Sequence, residues 1–213
     1  RGDDFGGHFI NGISMADSES VWKCKLVSAD EEKNVYESAD GYKITAYHIK
    51  KGDVFECYTE FQNNTEKTVI LDMISSFAIT DIDADTLHRA TSFWSAEGKM
   101  LSQKLTELNM ERSWSGHGIR IEKFGQVGSM PVRKWFPFVA VENSKTNEFI
   151  GVQLYIPSSW QIELFRHKEP LTLLGGIADF DYGHWFKEVK PNESFVAPKA
   201  VVTVGDSLLK VCD

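Results

Sequence analysis

The chain has 213 residues, enough for one large core, and carries a net charge of −8. Basic residues never run longer than a pair, so the clustered basic face that nucleic-acid binding needs is missing. No apolar run approaches a membrane span and no signal peptide opens the sequence, so neither nucleic acid nor a membrane is expected as a partner.

The chain begins at Arg1 rather than Met, which suggests a processed or excised piece. Residues 1–16, RGDDFGGHFINGISMA, lack periodicity and read as a loop or a bulged strand, in which Asp3 and Asp4 could hydrogen-bond a ligand's hydroxyls or lie in a solvated turn. VWKCKLV (21–27) alternates, predicting a strand with Trp22, Cys24 and Leu26 on one side. Residues 29–41 are acidic and turn-like. From Tyr42 a meander is expected: YKITAYHI is a strand, KKGD a turn, and VFECYTEF a strand with Phe55, Cys57, Thr59 and Phe61 facing one way. TVILDMISSFAIT (68–80) reads as one strand that is apolar on both faces. Asp81, Asp83 and Asp85 alternate without the glycine and terminal Glu of a calcium loop, and read as a polar loop.

Residues 94–138 are dense in Trp, Gly and Arg, including Trp94, Trp114, Trp135, Gly116, Gly118, Gly125, Gly128, Arg112, Arg120 and Arg133. Glycines permit tight bends and close backbone approach, and Trp suits either a sugar face or a core. Two readings stand: a bent β segment at the edge of a cleft, or a glycine-rich corner in a sandwich core. Within it, Met100 to Met110 is read as extended. Beyond it, FPFVAVEN, EFIGVQLYI, WQIELF, LTLLGGI and AVVTVGDSLL are strands, and KPNES is a β-turn with a strand on each side. That makes about fifteen strands and no long helix, hence an all-β, two-sheet antiparallel sandwich forming one domain over 1–213.

The three cysteines (24, 57 and 212) have no CxxC or Cys/His metal spacing. They read as reduced thiols with Cys57 buried on a strand; no cofactor or metal is expected, and a cytoplasmic location is. Two glycosylation sequons, at 63–65 and 192–194, both read as turns. The histidines at 8, 48, 88, 117, 167 and 184 are scattered. His184, flanked by aromatics and carboxylates in DYGHWF, is the foremost ligand candidate, and His117 between two glycines is next. Asp179 and Asp181, two apart on an expected strand face, would lie roughly 7 Å apart and point one way. They would form either an acid/base pair or a polar face meeting solvent or another domain.

The segments WSAEG (94–98), LxELN (105–109), SWSGHGIR (113–120), FGQVGSMP (124–131), PFVAVE (137–142), SWQIE (159–163), GGIADFDYGHW (175–185) and KPNESFVAP (190–198) together resemble the N-terminal domain of family 36 glycoside hydrolases, the bacterial-type α-galactosidases. The resemblance runs from about Tyr42 onward. It implies a galactose-mutarotase-like β-supersandwich N-terminal to a (β/α)8 barrel, retaining hydrolysis of α-galactosides such as raffinose-type sugars, and a homo-oligomer. The family's nucleophile, in a Lys-Trp-Asp stretch, and its acid/base both belong to the barrel. Here Lys134-Trp135 is followed by Phe136, so no catalytic residue is assigned to this chain and its partner would be its own C-terminal barrel. The family lends a pocket aspartate from a Gly-Asp-Phe-Arg loop; this sequence has Gly2-Asp3-Asp4-Phe5 followed by Gly6. The expected substrate-bordering residues are Asp3, Asp4, Trp94, Trp114, His184 and Trp185. A free-standing carbohydrate-binding module and an aldose-epimerase-like enzyme using His184 with Asp179 or Asp181 are the rival readings.

Overall fold

The computed structural model describes residues 14–110, 121–166 and 171–213. In chain order the strands are β1 (Cys24–Ala29), β2 (Lys33–Ser38), β3 (Tyr42–Lys51), β4 (Val54–Asn63), β5 (Val69–Leu71), β6 (Ser75–Ile82), β7 (Thr86–Thr91), β8 (Met100–Lys104), β9 (Ile121–Gln126), β10 (Trp135–Asn143), β11 (Glu148–Leu154), β12 (Trp160–Arg166), β13 (Leu171–Ile177), β14 (Lys187–Val189), β15 (Ser194–Val196) and β16 (Ala200–Gly205). The helices are short: α1 (Glu19–Trp22), α2 (Phe180–Gly183) and α3 (Leu208–Cys212).

Ten strands form one antiparallel sheet in the order β1-β2-β3-β4-β16-β11-β10-β7-β8, with β15 also on β4. Four form a second, β6-β13-β12-β9, and β14 pairs with β5 as a separate ribbon. The two-sheet antiparallel sandwich is therefore the architecture. Strand β4 shows how the sequence encodes it: Cys57, Thr59, Phe61 and Asn63 are buried while the intervening residues are half-buried, the period of two read from VFECYTEF. Gly52, at φ 64°, makes the β3–β4 turn. Across the sandwich β6 packs over β4, and β12 and β9 pack over β10. Trp160, Leu87, Ile162, Leu164, Leu173 and Val139 are the fully enclosed core. Trp160 meets Phe124 edge-on at 6.0 Å and donates its indole N–H to the Pro131 carbonyl at 2.6 Å. Arg89 of β7 crosses the gap between the sheets to Glu122 of β9 at 2.6 Å and lies over the Phe124 and Trp135 rings.

Several segments depart from the sequence expectation, each for a local reason. Residues 19–22 are a single helical turn rather than strand: the Lys23 N–H returns to the Glu19 carbonyl, and their side chains pair at 3.0 Å. Trp22 is exposed, and the strand begins at Cys24. The acidic stretch 29–41 contains β2, because β1 and β3 pair with it on both sides. Its two ends are turns: at the start the Asp30 carboxylate accepts the Glu32 and Lys33 N–H groups, and at the end the Gly41 N–H returns to the Ser38 carbonyl. The expected long strand at 68–80 breaks between Leu71 and Ser75, since β5 pairs with β14 and β6 with β13. Extended backbone in Met100–Met110 stops at Lys104; the Met110 N–H closes a turn onto the Leu105 carbonyl. The final strand stops at Gly205, and Ser207 caps α3.

Other readings hold. The KPNES turn joins β14 to β15, with Asn192 at φ 63°. In the described part of the central stretch Trp135 and Gly125 pack inward, as the core reading has it, while Trp94 is exposed. Of the three alternating aspartates, Asp83 and Asp85 lie in the polar loop, whereas Asp81 belongs to the end of β6, at φ 58°. The Asp85 carboxyl is held well below its ordinary range: burial opposes this, but Lys104, Ser144 and Thr86 outweigh it with hydrogen bonds. All three cysteines are free thiols and Cys57 is buried on β4. Among the described residues no helix is long and apolar enough to cross a membrane.

A Cβ at Gly125 would lie 2.1 Å from the Trp160 carbonyl oxygen, and backbone on a central strand cannot yield. Gly125→Ala is expected to cost about 1–3 kcal/mol. Thermal melting checks this; an unchanged midpoint would show that β9 has room to move.

Candidate functional site

The strongest concentration of chemistry among the described residues is a buried polar cluster on the four-stranded sheet. Along β12, Trp160, Ile162 and Leu164 enter the core, so Gln161 and Glu163 face the opposite side, yet both are fully buried there. Lys123, directly opposite Glu163 on β9, places its ammonium 2.7 Å from Glu163 Oε1 and 3.0 Å from Asp179 Oδ2. The Gln161 side-chain N–H₂ donates to both carboxylates at 2.8 Å, while its carbonyl accepts the Asp179 backbone N–H at 2.8 Å. Ser14 donates to the other Glu163 oxygen at 2.7 Å, which pins the start of the described chain to this face.

Burial pushes the Glu163 carboxyl upward, opposed by Lys123 and Ser14. For Lys123 burial pushes down, but the two carboxylates win and its pKa is raised. The cluster thus holds one ammonium against two buried acids, a state that survives only while every member keeps its partners.

Asp179 is also the cap of α2, its Oδ1 accepting the Tyr182 N–H at 2.8 Å. This corrects the expected strand face: the chain turns helical after Asp179, so Asp179 is enclosed while Asp181 is exposed in the first helical turn. The helix ends at His184, which takes the left-handed conformation at φ 55°, is exposed, and meets Phe180 edge-on at 5.8 Å. Trp185, next in sequence, is half-buried against the core and packs on Phe195 at 5.7 Å. Of the two carboxylates expected to face His184, Asp179 has both oxygens engaged, in the cluster and at the α2 cap, while Asp181 is exposed, as His184 is.

Trp94 stands elsewhere, in the turn between β7 and β8, 83% exposed and stacked with Phe93 at 6.4 Å. Beside it a shallow hollow of about 340 Å³ is lined by Phe93, Gln126, Arg133 and Lys134. Met130 and Val132, in the β9–β10 loop, are exposed as well. The Ser92 N–H donates to the Lys134 carbonyl at 3.0 Å, so the two loops are tied side by side. The structure thus groups Asp179, His184 and Trp185 around α2 and places Trp94 on a separate aromatic and cationic end. Asp3, Asp4 and Trp114, with His117, lie outside the described residues. Lys123, Gln161 and Glu163 were not singled out from the sequence. Their one signal was a charged and an amide residue inside the otherwise apolar WQIELF.

No protein-family model and no curated protein matches this sequence. Solved structures do. The GH36 α-galactosidase AgaA from Geobacillus stearothermophilus superposes on 82% of this chain with a TM-score of 0.68 and 17% identity. The α-galactosidase from Lactobacillus brevis superposes on 89% with a TM-score of 0.70 and 13% identity, and the galactosidase domain of AgaSK on 88% with 0.69 and 11%. This is a fold found within GH36 α-galactosidases. The chain spans only 24% to 26% of the length of those α-galactosidase chains.

Lys123→Met leaves two buried carboxylates face to face and should cost about 3–5 kcal/mol in a urea titration. The pH dependence has a definite sign. A raised Glu163 pKa means that the folded state keeps a proton the unfolded chain releases above about 4.3. Stability should therefore fall as pH rises from there through the folded pKa, and Glu163→Gln should flatten that slope. Lys123, also raised, contributes fully below about pH 10.4 and loses its contribution as pH climbs through its folded pKa. Urea midpoints across pH would overturn the assignment if Glu163→Gln kept the parental slope.

Proposed function

We propose that this chain is the N-terminal β-supersandwich domain of a retaining α-galactosidase of family 36, without galactosidase activity alone and completed by a (β/α)8 barrel that carries the reacting aspartates. The observation that carries this is the asymmetry of coverage: 82% to 89% of this chain matches, against 24% to 26% of its neighbours. Variants of one of these neighbours, AgaA, are seen in complex with stachyose and with raffinose, which makes raffinose-type galactosides the substrate class we infer for the complete enzyme. The absence of galactoside turnover by this part alone is supported by the state of its enclosed acids, since Glu163 and Asp179 are locked against Lys123 rather than opposed across a cleft. We assign the Phe93, Trp94, Met130 and Val132 end to packing against the barrel, since apolar side chains clustered on a surface mark an interaction site. Asp3, Asp4, Trp114, His184 and Trp185 are proposed to border the sugar pocket, with Trp94 given to the barrel contact instead, and the domain to support assembly of a homo-oligomer.

A second reading, a free-standing carbohydrate module, is favoured by the exposed, stacked Phe93–Trp94 pair alone. Two measurements separate these readings. The isolated chain should release no nitrophenol from a nitrophenyl α-galactoside; turnover would overturn the proposal. Its tryptophan fluorescence should not titrate with raffinose, whereas a saturable change lost in Trp94→Ala would establish the module.

A further inference from the structure

Away from both of these regions, the outer face of the ten-stranded sheet brings a serine, a histidine and a glutamate into line. His88 on β7 sits 2.8 Å through Nδ1 from Ser102 Oγ on β8, and 2.9 Å through Nε2 from Glu142 Oε2 on β10. His88 is buried, Glu142 half-buried and Ser102 exposed. An ionised carboxylate only accepts, so Nε2 carries the hydrogen and Nδ1 of the neutral ring is left to accept the serine O–H. Burial lowers the imidazole's pKa against the pull of Glu142, which keeps the ring in that neutral form.

We propose that Ser102, His88 and Glu142 form a nucleophilic triad that hydrolyses esters of small carboxylic acids. The backbone supplies the other requirement. The Leu105 N–H bonds to the Asp85 carbonyl and the Thr91 N–H to the Lys99 carbonyl, and the 88/102 pair falls midway in the same unbroken register. By the alternation of antiparallel ladders, 88/102 is a pair without mutual backbone bonds, whose side chains approach closely. The Ser102 N–H therefore points outward, and β8 is the last strand of the sheet. That donor, next to its own Oγ, is placed to stabilise an oxyanion. The next pair on this face, Ala90 and Met100, offers an apolar shelf for an acyl group.

In the reaction Ser102 Oγ attacks the ester carbonyl carbon as its proton passes to His88 Nδ1. The carbon–oxygen bond to the alcohol then breaks, and the alcohol leaves with that proton. Water attacks the acyl-serine, giving a proton to His88, which returns it to Ser102 as the acid departs. Glu142 holds the ring's tautomer throughout. This assignment is independent of the α-galactosidase reading.

The test uses the 213-residue protein with a fluorophosphonate probe and with p-nitrophenyl acetate. One phosphonyl adduct per chain on Ser102 is expected by peptide mass spectrometry, with none in Ser102→Ala. Acetate release should fall at least tenfold in Ser102→Ala and in Glu142→Gln. Ser102 is exposed on the outermost strand, so Ser102→Ala loses one hydrogen bond to His88 but should still fold, and it decides the question even where a His88 variant fails to fold. Absence of an adduct at Ser102, or acetate release unchanged in Ser102→Ala, would reduce the three residues to a polar ladder and overturn the proposal.

Discussion

The constraint on which everything else rests is that two sheets of unequal width must bury their inner faces against each other. Four strands cannot cover ten. They cover the stretch of the large sheet from β4 to β7, and there the buried residues accumulate. Trp160 sits fully enclosed in that overlap, and truncating such a ring typically costs about 3–5 kcal/mol. The mismatch shows at the far margin, where β1 is exposed along almost its whole length with Leu26 and Val27 in the open. An outermost strand of this kind retains unpaired backbone groups.

The same mismatch explains where polar chemistry collects. On the face of the small sheet turned away from the core, Gln161, Glu163 and Asp179 are enclosed although they are polar. Enclosure on such a face is tolerable only with complete hydrogen bonding, and Lys123, Ser14 and the α2 cap provide it. At one end of the sandwich, loops free of that requirement carry Phe93, Trp94 and two cations on the surface. One region is organised inward and the other outward, which is why the second is the better candidate for meeting another body.

Much of the fold was legible in the residues. Where one face of a strand is buried, the period of two is imposed by the core, and β4, β10, β11 and β16 were all readable on that account. Strand β2 was obscured because its hydrogen-bonded neighbours, rather than its own acidic surroundings, decide its conformation. The break in 68–80 was hidden for a related reason: an apolar run does not reveal that its two halves pair with different sheets. At the candidate site, the sequence led to Asp179 and His184 but not to their setting. A one-turn helix erases the alternation on which the pairing of Asp179 with Asp181 depended. Lys123 lies 40 positions from Glu163, and only the β9–β12 register joins them.

Cys57 has a use of its own. Its side chain faces the core from β4, and burial pushes the thiol up to about 11, so almost no thiolate exists at neutral pH. Once the strand is exposed, the thiol regains ordinary acidity and alkylates readily. The sandwich therefore carries its own clock for opening: the rate at which this sulfur reacts reports how often the middle of the sheet comes apart, while exposed Cys212 supplies an internal standard.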